Sequence, residues 1–442
     1  MKYISSRGEG EMKIVDDIRA RAIEYTATMR MAMSDSKYAL PEASLRLPFD
    51  RALYEKSATL ASKLRSESLN YVINIGIGGS SLGAQAVYEA LFGVLDRYNP
   101  FAPKMLFAES CDQSILSDIS EIILNEVEKK EEIIVVIGSK SGTTTETIMN
   151  ASIMVGALHK KFGSIGDRVV CITEEDSPLW SVGKEQGYSL LPIPKMVGGR
   201  YSVFSPVGVF PLLAVGLDMK LLLKGAEEEL HDCIDQGVES RAFCAAFDIF
   251  EWNKKGINIF DIFLFHPELE SFGKWYRQLF AESLGKDTTI EGETTTPLLV
   301  PTVSIGSTDL HSMEQMHLAH PRATARTLVR VNAPHWDHNA VVHERAIASL
   351  VPGVLDREPR QIMDAIYEGV QKTYDTRGVR YAEIELPDIS LQTLGALLQF
   401  EMCVVMHLAN LLHIDAFNQP NVEEYKNVVR EILGKGELKS SE

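Results

Sequence analysis

Three stretches in the first half of this 442-residue chain, YVINIGI (71–77), IIVVIG (133–138) and RVVCIT (168–173), are nearly unbroken runs of apolar, largely β-branched residues. A strand that is apolar along its whole length is buried on both faces, which restricts it to a mostly parallel sheet covered by helices on either side. MLFAE (105–109) adds a shorter strand, and helical segments separate the runs. A second series, INIFDIFLF (257–265), PLLVPTVSI (297–305), TLVRVNA (327–333) and YAEIEL (381–386), alternates with helical segments in the same way. The expected organisation is an N-terminal helical segment (1–50), a first α/β domain (51–215), connecting helices (216–250), a second α/β domain (251–415) and a C-terminal helix (416–442).

The net charge of −17 argues against a general nucleic-acid or anionic-membrane surface, because either partner needs clustered Lys and Arg. It leaves room for a small anionic substrate held by a local pocket. Cys111, Cys171, Cys233, Cys244 and Cys403 are scattered without a CxxC pair, which fits reduced thiols in the cytoplasm. The first residues contain no apolar core of a secretory signal. The most apolar long stretch, 394–414, carries Gln399, Glu401 and His407, so it reads as a buried core helix rather than a membrane span. His335, His338 and His343 lack the spacing of a zinc motif and are read as a solvated loop.

Two strand–turn–helix junctions carry chemistry. GIGGSSLG (76–83) departs from the dinucleotide pattern GxGxxG, since Ser81 stands at the third glycine position. VVIGSKSGTTTET (135–147) gathers Ser139, Ser141, Thr143, Thr144, Thr145 and Thr147 around Lys140 and Gly142. A helix N-cap needs only one or two hydroxyls. The surplus, placed at a helix N-terminus with unpaired N–H groups, predicts an anion site the size of one phosphate, lined by Ser139, the backbone of Lys140, Ser141, Thr144 and Thr147.

Further stretches narrow the chemistry: VGGRYSVFSPVG (197–208) with Arg200, WYRQLFAESLGK (275–286) with Gln278 and Glu282 one helical turn apart, STDLHS (307–312) with His311, and AFNQPNVEEYK (416–426) with Gln419 and Lys426. Together with GIGGSSLG and SKSGTTTET, and in this order, they resemble the glucose-6-phosphate isomerase family in its shorter bacterial form. The resemblance runs from about residue 70 to 430, with Asn421 standing where the family has a glycine.

The resemblance implies two three-layer α/β/α sugar-isomerase-type domains with mostly parallel sheets. It also implies interconversion of glucose 6-phosphate and fructose 6-phosphate through a cis-enediol, with no metal or cofactor, in a homodimer with shared sites. Glu282 is similar to the family's proton-transferring base, Arg200 to the enediolate-stabilising arginine, and His311 to a ring-opening acid/base supplied by the neighbouring subunit. Lys426 resembles a lysine that assists ring opening, and Glu146 a carboxylate partner for the histidine. Gly79, Ser80, Gln278 and Gln419 join the hydroxyl loop as substrate-binding positions. Four of these have an ordinary alternative: an i,i+4 ion pair with Lys286 for Glu282, an exposed surface arginine for Arg200, a first-turn acid on the helix dipole for Glu146, and a solvated helix lysine for Lys426. A sugar-phosphate-binding regulator would keep the hydroxyl loop without needing Glu282, Arg200, His311 and Lys426 together.

Overall fold

The computed structural model describes residues 1–5, 14–93, 95–96, 103–295, 298–333 and 340–437. His335 and His338 lie outside these residues. β1 (Lys2–Ser5) belongs to the second of two five-stranded sheets. The first sheet is built from β2 (Tyr71–Ile75), β3 (Lys104–Ala108), β4 (Ile133–Gly138), β5 (Val169–Thr173) and β6 (Ser189–Pro192), all parallel, in the order β3-β2-β4-β5-β6. β7 (Ile259–Leu264), β8 (Val300–Ile305), β9 (Thr324–Val331) and β10 (Arg380–Leu386) complete the second, in the order β1-β10-β9-β7-β8, with only β1 antiparallel.

The apolar runs are buried on both faces because their alternate residues enter different cores. In β4, Val135 and Ile137 join Ile73, Ile75 and Cys171 in a core with Leu116, Ile119, Met154 and Leu158 from the outer helices Gln113–Asn125 and Thr145–Phe162. Ile134 and Val136, pointing the other way, join a large central core. The second sheet divides alike: Phe260, Ile262 and Leu264 face the central core, and Phe263 faces an outer cluster with Leu328, Tyr367 and Tyr374. Each sheet is thus the middle of an α/β/α sandwich, and the two sandwiches share one core.

That core is filled by the helices Met219–Gln236, Arg241–Lys254 and Leu391–Leu412. The last is long and apolar enough to cross a membrane by length and composition, yet almost its whole length is buried inside the protein. Gln399, Glu401 and His407 are buried with it.

Two strands differ from the sequence-based expectation. Residues 2–5, read as part of a helical segment, form β1, an edge strand whose Lys2 sits opposite Glu385 with a 3.5 Å ion pair. Four residues carry too little periodicity to reveal a strand that exists by docking against β10. β6 is likewise short and ends in Pro192, which is tolerated at a sheet edge. At the other end, residues 416–420 are loop, and the C-terminal helix runs Asn421–Glu437.

Burial, reinforced by Glu229, pushes the Glu401 carboxyl up to about 8. Its folded value lies above the unfolded carboxyl range, so its contribution to stability is complete below about pH 4.3 and is lost as pH rises through about 8. Thermal melts of the native chain should therefore show a fall in melting temperature between about pH 5 and pH 8.5, and Glu401→Gln should flatten that fall. An unchanged slope in the variant would mean that Glu401 is not held protonated.

Candidate active site

In the first sheet the chain runs from β2 outward to β3, then returns to the other side of β2 as β4. Ligand crevices in open α/β sheets form at such a reversal, beyond the carboxyl ends of the strands. Both singled-out junctions lie there, GIGGSSLG after β2 and SKSGTTTET after β4. Beside them is a cavity of about 580 Å³, within the range of small-molecule sites.

Gly79 and Ser80 line one wall. The turn that carries them approaches the 199–200 backbone so closely that a Cβ on Gly79 would sit 2.0 Å from the Gly199 carbonyl carbon. The glycine is thus required by contact with the turn that presents Arg200. Lys140, Ser141, Thr144 and Glu146, from the loop after the neighbouring strand β4, also line the cavity. Gly142 adopts φ +69°, the left-handed conformation that turns the chain from strand to helix. Thr144 is the N-cap of helix Thr145–Phe162 but makes no capping bond with its side chain. Its hydroxyl lies 2.9 Å from Ser139 Oγ instead.

Ser139 and Thr147 are almost fully buried and sit one layer below the cavity surface. Ser139 orients Thr144, and the Thr147 hydroxyl is sealed without a partner among the described residues. Lys140 pairs with Glu174 at 3.6 Å, and burial lowers its pKa from the usual lysine value. Glu174, which follows β5 and also lines the cavity, was not singled out from the sequence, where it is one acid in an ordinary polar loop.

The charged and amide groups of the cavity converge from distant segments. Helix Glu270–Leu284, which follows β7, places Gln278 and Glu282 on one face toward the cavity. Glu282 Oε1 meets Arg200 Nη1 at 3.1 Å, and its Oε2 accepts a 3.0 Å hydrogen bond from Gln278 Nε2. Each carboxylate oxygen therefore has its own donor. The ion-pair alternative with Lys286 is not adopted: that ammonium donates to the Glu282 backbone carbonyl instead, at 2.7 Å.

Arg200 is 2% exposed. Its Nε donates to Ser283 Oγ at 2.8 Å, Nη1 to Gln419 Oε1 at 2.8 Å, and Nη2 to the carbonyls of Ala416 and Asn418 at 2.6 and 3.1 Å. Ser283 is a partner that sequence reasoning passed over, although it adjoins Glu282.

Gln419 and Lys426 reach the cavity from the C-terminal segment. Lys426 lies on helix Asn421–Glu437, exposed on its outer side and paired with Glu423 at 2.7 Å. Tyr425, Val429 and Arg430 of the same helix also face the cavity. His311 is not among the lining residues. It sits on the exposed turn Thr308–His311 after β8, outside the cavity of its own chain. The chain next to it is anchored by Glu314, which pairs with buried Arg326 at 3.2 Å.

Comparison with known proteins bears on the whole of this arrangement. The sequence model of the phosphoglucose isomerase family matches residues 15–320. A glucose-6-phosphate isomerase from Mycoplasmopsis synoviae is 31% identical over 89% of either chain. Among solved structures, a hypothetical protein from Thermus thermophilus has a TM-score of 0.83 at 23% identity, covering 98% of this chain and 99% of that one. A glucose-6-phosphate isomerase from Chlamydia trachomatis has a TM-score of 0.71 at 21% identity, covering 98% of this chain and 81% of its own. With the family model matched over more than half its length and a curated relative matched almost end to end, the chain belongs to the phosphoglucose isomerase family.

Proposed function

We propose that the cavity interconverts glucose 6-phosphate and fructose 6-phosphate. The observation that carries the reading is the placement of one carboxylate, Glu282, between a buried guanidinium and an amide donor, in the same cavity as the hydroxyl-rich helix N-terminus. The phosphate is held by Ser141, Thr144 and backbone N–H groups at the start of helix Thr145–Phe162, with Ser139 steadying Thr144 from below. The sugar then extends toward Glu282.

Aldose–ketose exchange through a cis-enediol moves one proton from C2 to C1 and a second from the C2 hydroxyl to the C1 oxygen. Glu282 takes the C2 proton as general base and returns it to C1, while negative charge develops on the neighbouring oxygen. Arg200 is already desolvated and fixed by its own hydrogen bonds, so a guanidinium beside that oxygen stabilises it with little reorganisation. Gln278 keeps the second oxygen of Glu282 in place. Lys426 and Gln419 border the side where the ring opens.

Among the described residues, the chain supplies no histidine to its own cavity. His311 is exposed, and Met313 and Met316 beside it are exposed apolar residues. The reading is therefore a homodimer in which a second copy covers this face and each subunit lends His311 to the other, with Glu146 as its carboxylate neighbour. A two-fold symmetric contact would make both loans at once.

Glu282→Gln preserves size and removes the base. Turnover of fructose 6-phosphate should drop by about 10²–10⁴-fold while inorganic phosphate binding persists, and the melting temperature should fall because buried Arg200 loses its counter-charge. Near-normal turnover would eliminate Glu282 as the base. Calorimetric titration tests the anion site separately: Ser141→Ala and Thr144→Val should each weaken inorganic phosphate binding by on the order of tenfold. Unaltered affinity in both would place the phosphate elsewhere. The shared site is tested by mixing. Glu282→Gln and His311→Ala, each nearly inactive alone, should regain activity when co-expressed, because one mixed-dimer site then has both residues intact. No recovery from an isolated mixed dimer would show that each chain uses its own histidine.

A further inference from the structure

We propose that Lys286 is a positioning residue that staples the base-bearing helix to the Gln419 loop, holding Glu282 and Arg200 in register. This rests on the isomerase reading above. Lys286 stands two residues beyond helix Glu270–Leu284, half-buried, and its ammonium spans two segments. It donates to the carbonyl of Glu282 at 2.7 Å and to the carbonyl of Asn418 at 2.5 Å.

The Asn418 carbonyl also accepts from Arg200 Nη2 at 3.1 Å, while Arg200 Nη1 holds the Gln419 side chain and pairs with Glu282. The Lys286 backbone carbonyl is itself fixed by Thr295 Oγ1 at 2.6 Å. Lys286, Asn418, Arg200 and Glu282 thus form a closed ring of contacts, and Lys286 is the member that holds the peptide of the base. A helix C-terminus needs a donor only for its own carbonyls. The bond to Asn418, far off in sequence, is what a simple cap would lack.

The charged groups acting on the ammonium are Arg200, which disfavours its charge, and Asp415, Glu282 and Asp287, which favour it. Asp415 is also engaged with the backbone N–H of Phe417 and the Asn418 side chain. Burial and Arg200 prevail, bringing the Lys286 pKa down to about 8, against an ordinary value of about 10.4. The staple is a charge-assisted pair of bonds below that pH and a weaker neutral one above it.

The test compares the native chain with Lys286→Met and Lys286→Arg, measuring kcat and KM for fructose 6-phosphate across pH together with melting temperature. Misplacing a reacting group by a fraction of its reach costs on the order of 10²-fold in rate, and Lys286→Met should lose kcat on that scale. KM should change little, because the hydroxyl loop is untouched. Lys286→Arg keeps a permanent cation, so it should retain most of kcat and carry the alkaline fall, expected near pH 8 in the native enzyme, to higher pH.

A Lys286→Met enzyme that melts earlier but turns over normally would reduce Lys286 to a helix cap and overturn the proposal. So would an alkaline limb left in place by Lys286→Arg. Failure of the native protein itself to isomerise fructose 6-phosphate would overturn the isomerase reading, and this inference with it.

Discussion

The site depends on one buried cation. Arg200 leaves a glycine turn after β6, enters the interior, and binds the end of helix Glu270–Leu284 through Ser283 and the 416–419 loop through two carbonyls and Gln419. Burying a guanidinium is costly unless its N–H groups are satisfied and its charge is opposed. Here the carbonyls, hydroxyl and amide oxygen satisfy the donors, and Glu282 opposes the charge. Arginine suits the position because its planar fork reaches several acceptors at once, which a lysine ammonium cannot do in fixed directions. The same bonds that make burial tolerable also fix the distance between the cation and the Glu282 carboxylate.

Around this centre the electrostatics run against those of the whole chain. The protein carries a net charge of −17, yet its cavity brings together Lys140, Arg200, Lys426 and Arg430. Three of these are paired with acids, namely Glu174, Glu282 and Glu423. On the proposed reading the anion is left mainly to neutral donors, hydroxyls and the start of a helix. Such a site grips a phosphate by direction rather than by bulk charge.

Sequence reading reached the fold because the burial of whole strands imposes a composition that is hard to mistake. Val135 and Val136 point to different cores, and both must be apolar. It reached the hydroxyl loop because the surplus of Ser and Thr exceeds what a cap requires. It could not reach β1 or β6, short edge strands stabilised by what they dock against. Nor could it separate Ser141 and Thr144, which face the cavity, from Ser139 and Thr147 beneath it, since all four read as the same polar loop. Glu174 carried no local signal at all.

The pairing of Glu282 marks the division most clearly. The local sequence, Glu282 followed four residues later by Lys286, permits an ion pair along the helix. In the folded chain the carboxylate turns to Arg200 and Gln278, and the lysine turns to two backbone carbonyls. The sequence by itself determined two helix-covered sheets, a hydroxyl-rich loop at a helix N-terminus and the family to which its motifs point, because burial and short motifs act over neighbouring residues. Only the tertiary structure decided which charges meet, because Arg200, Glu282, Asn418 and Lys426 lie on segments far apart in sequence, and their partners are set by how those segments close around a shared core.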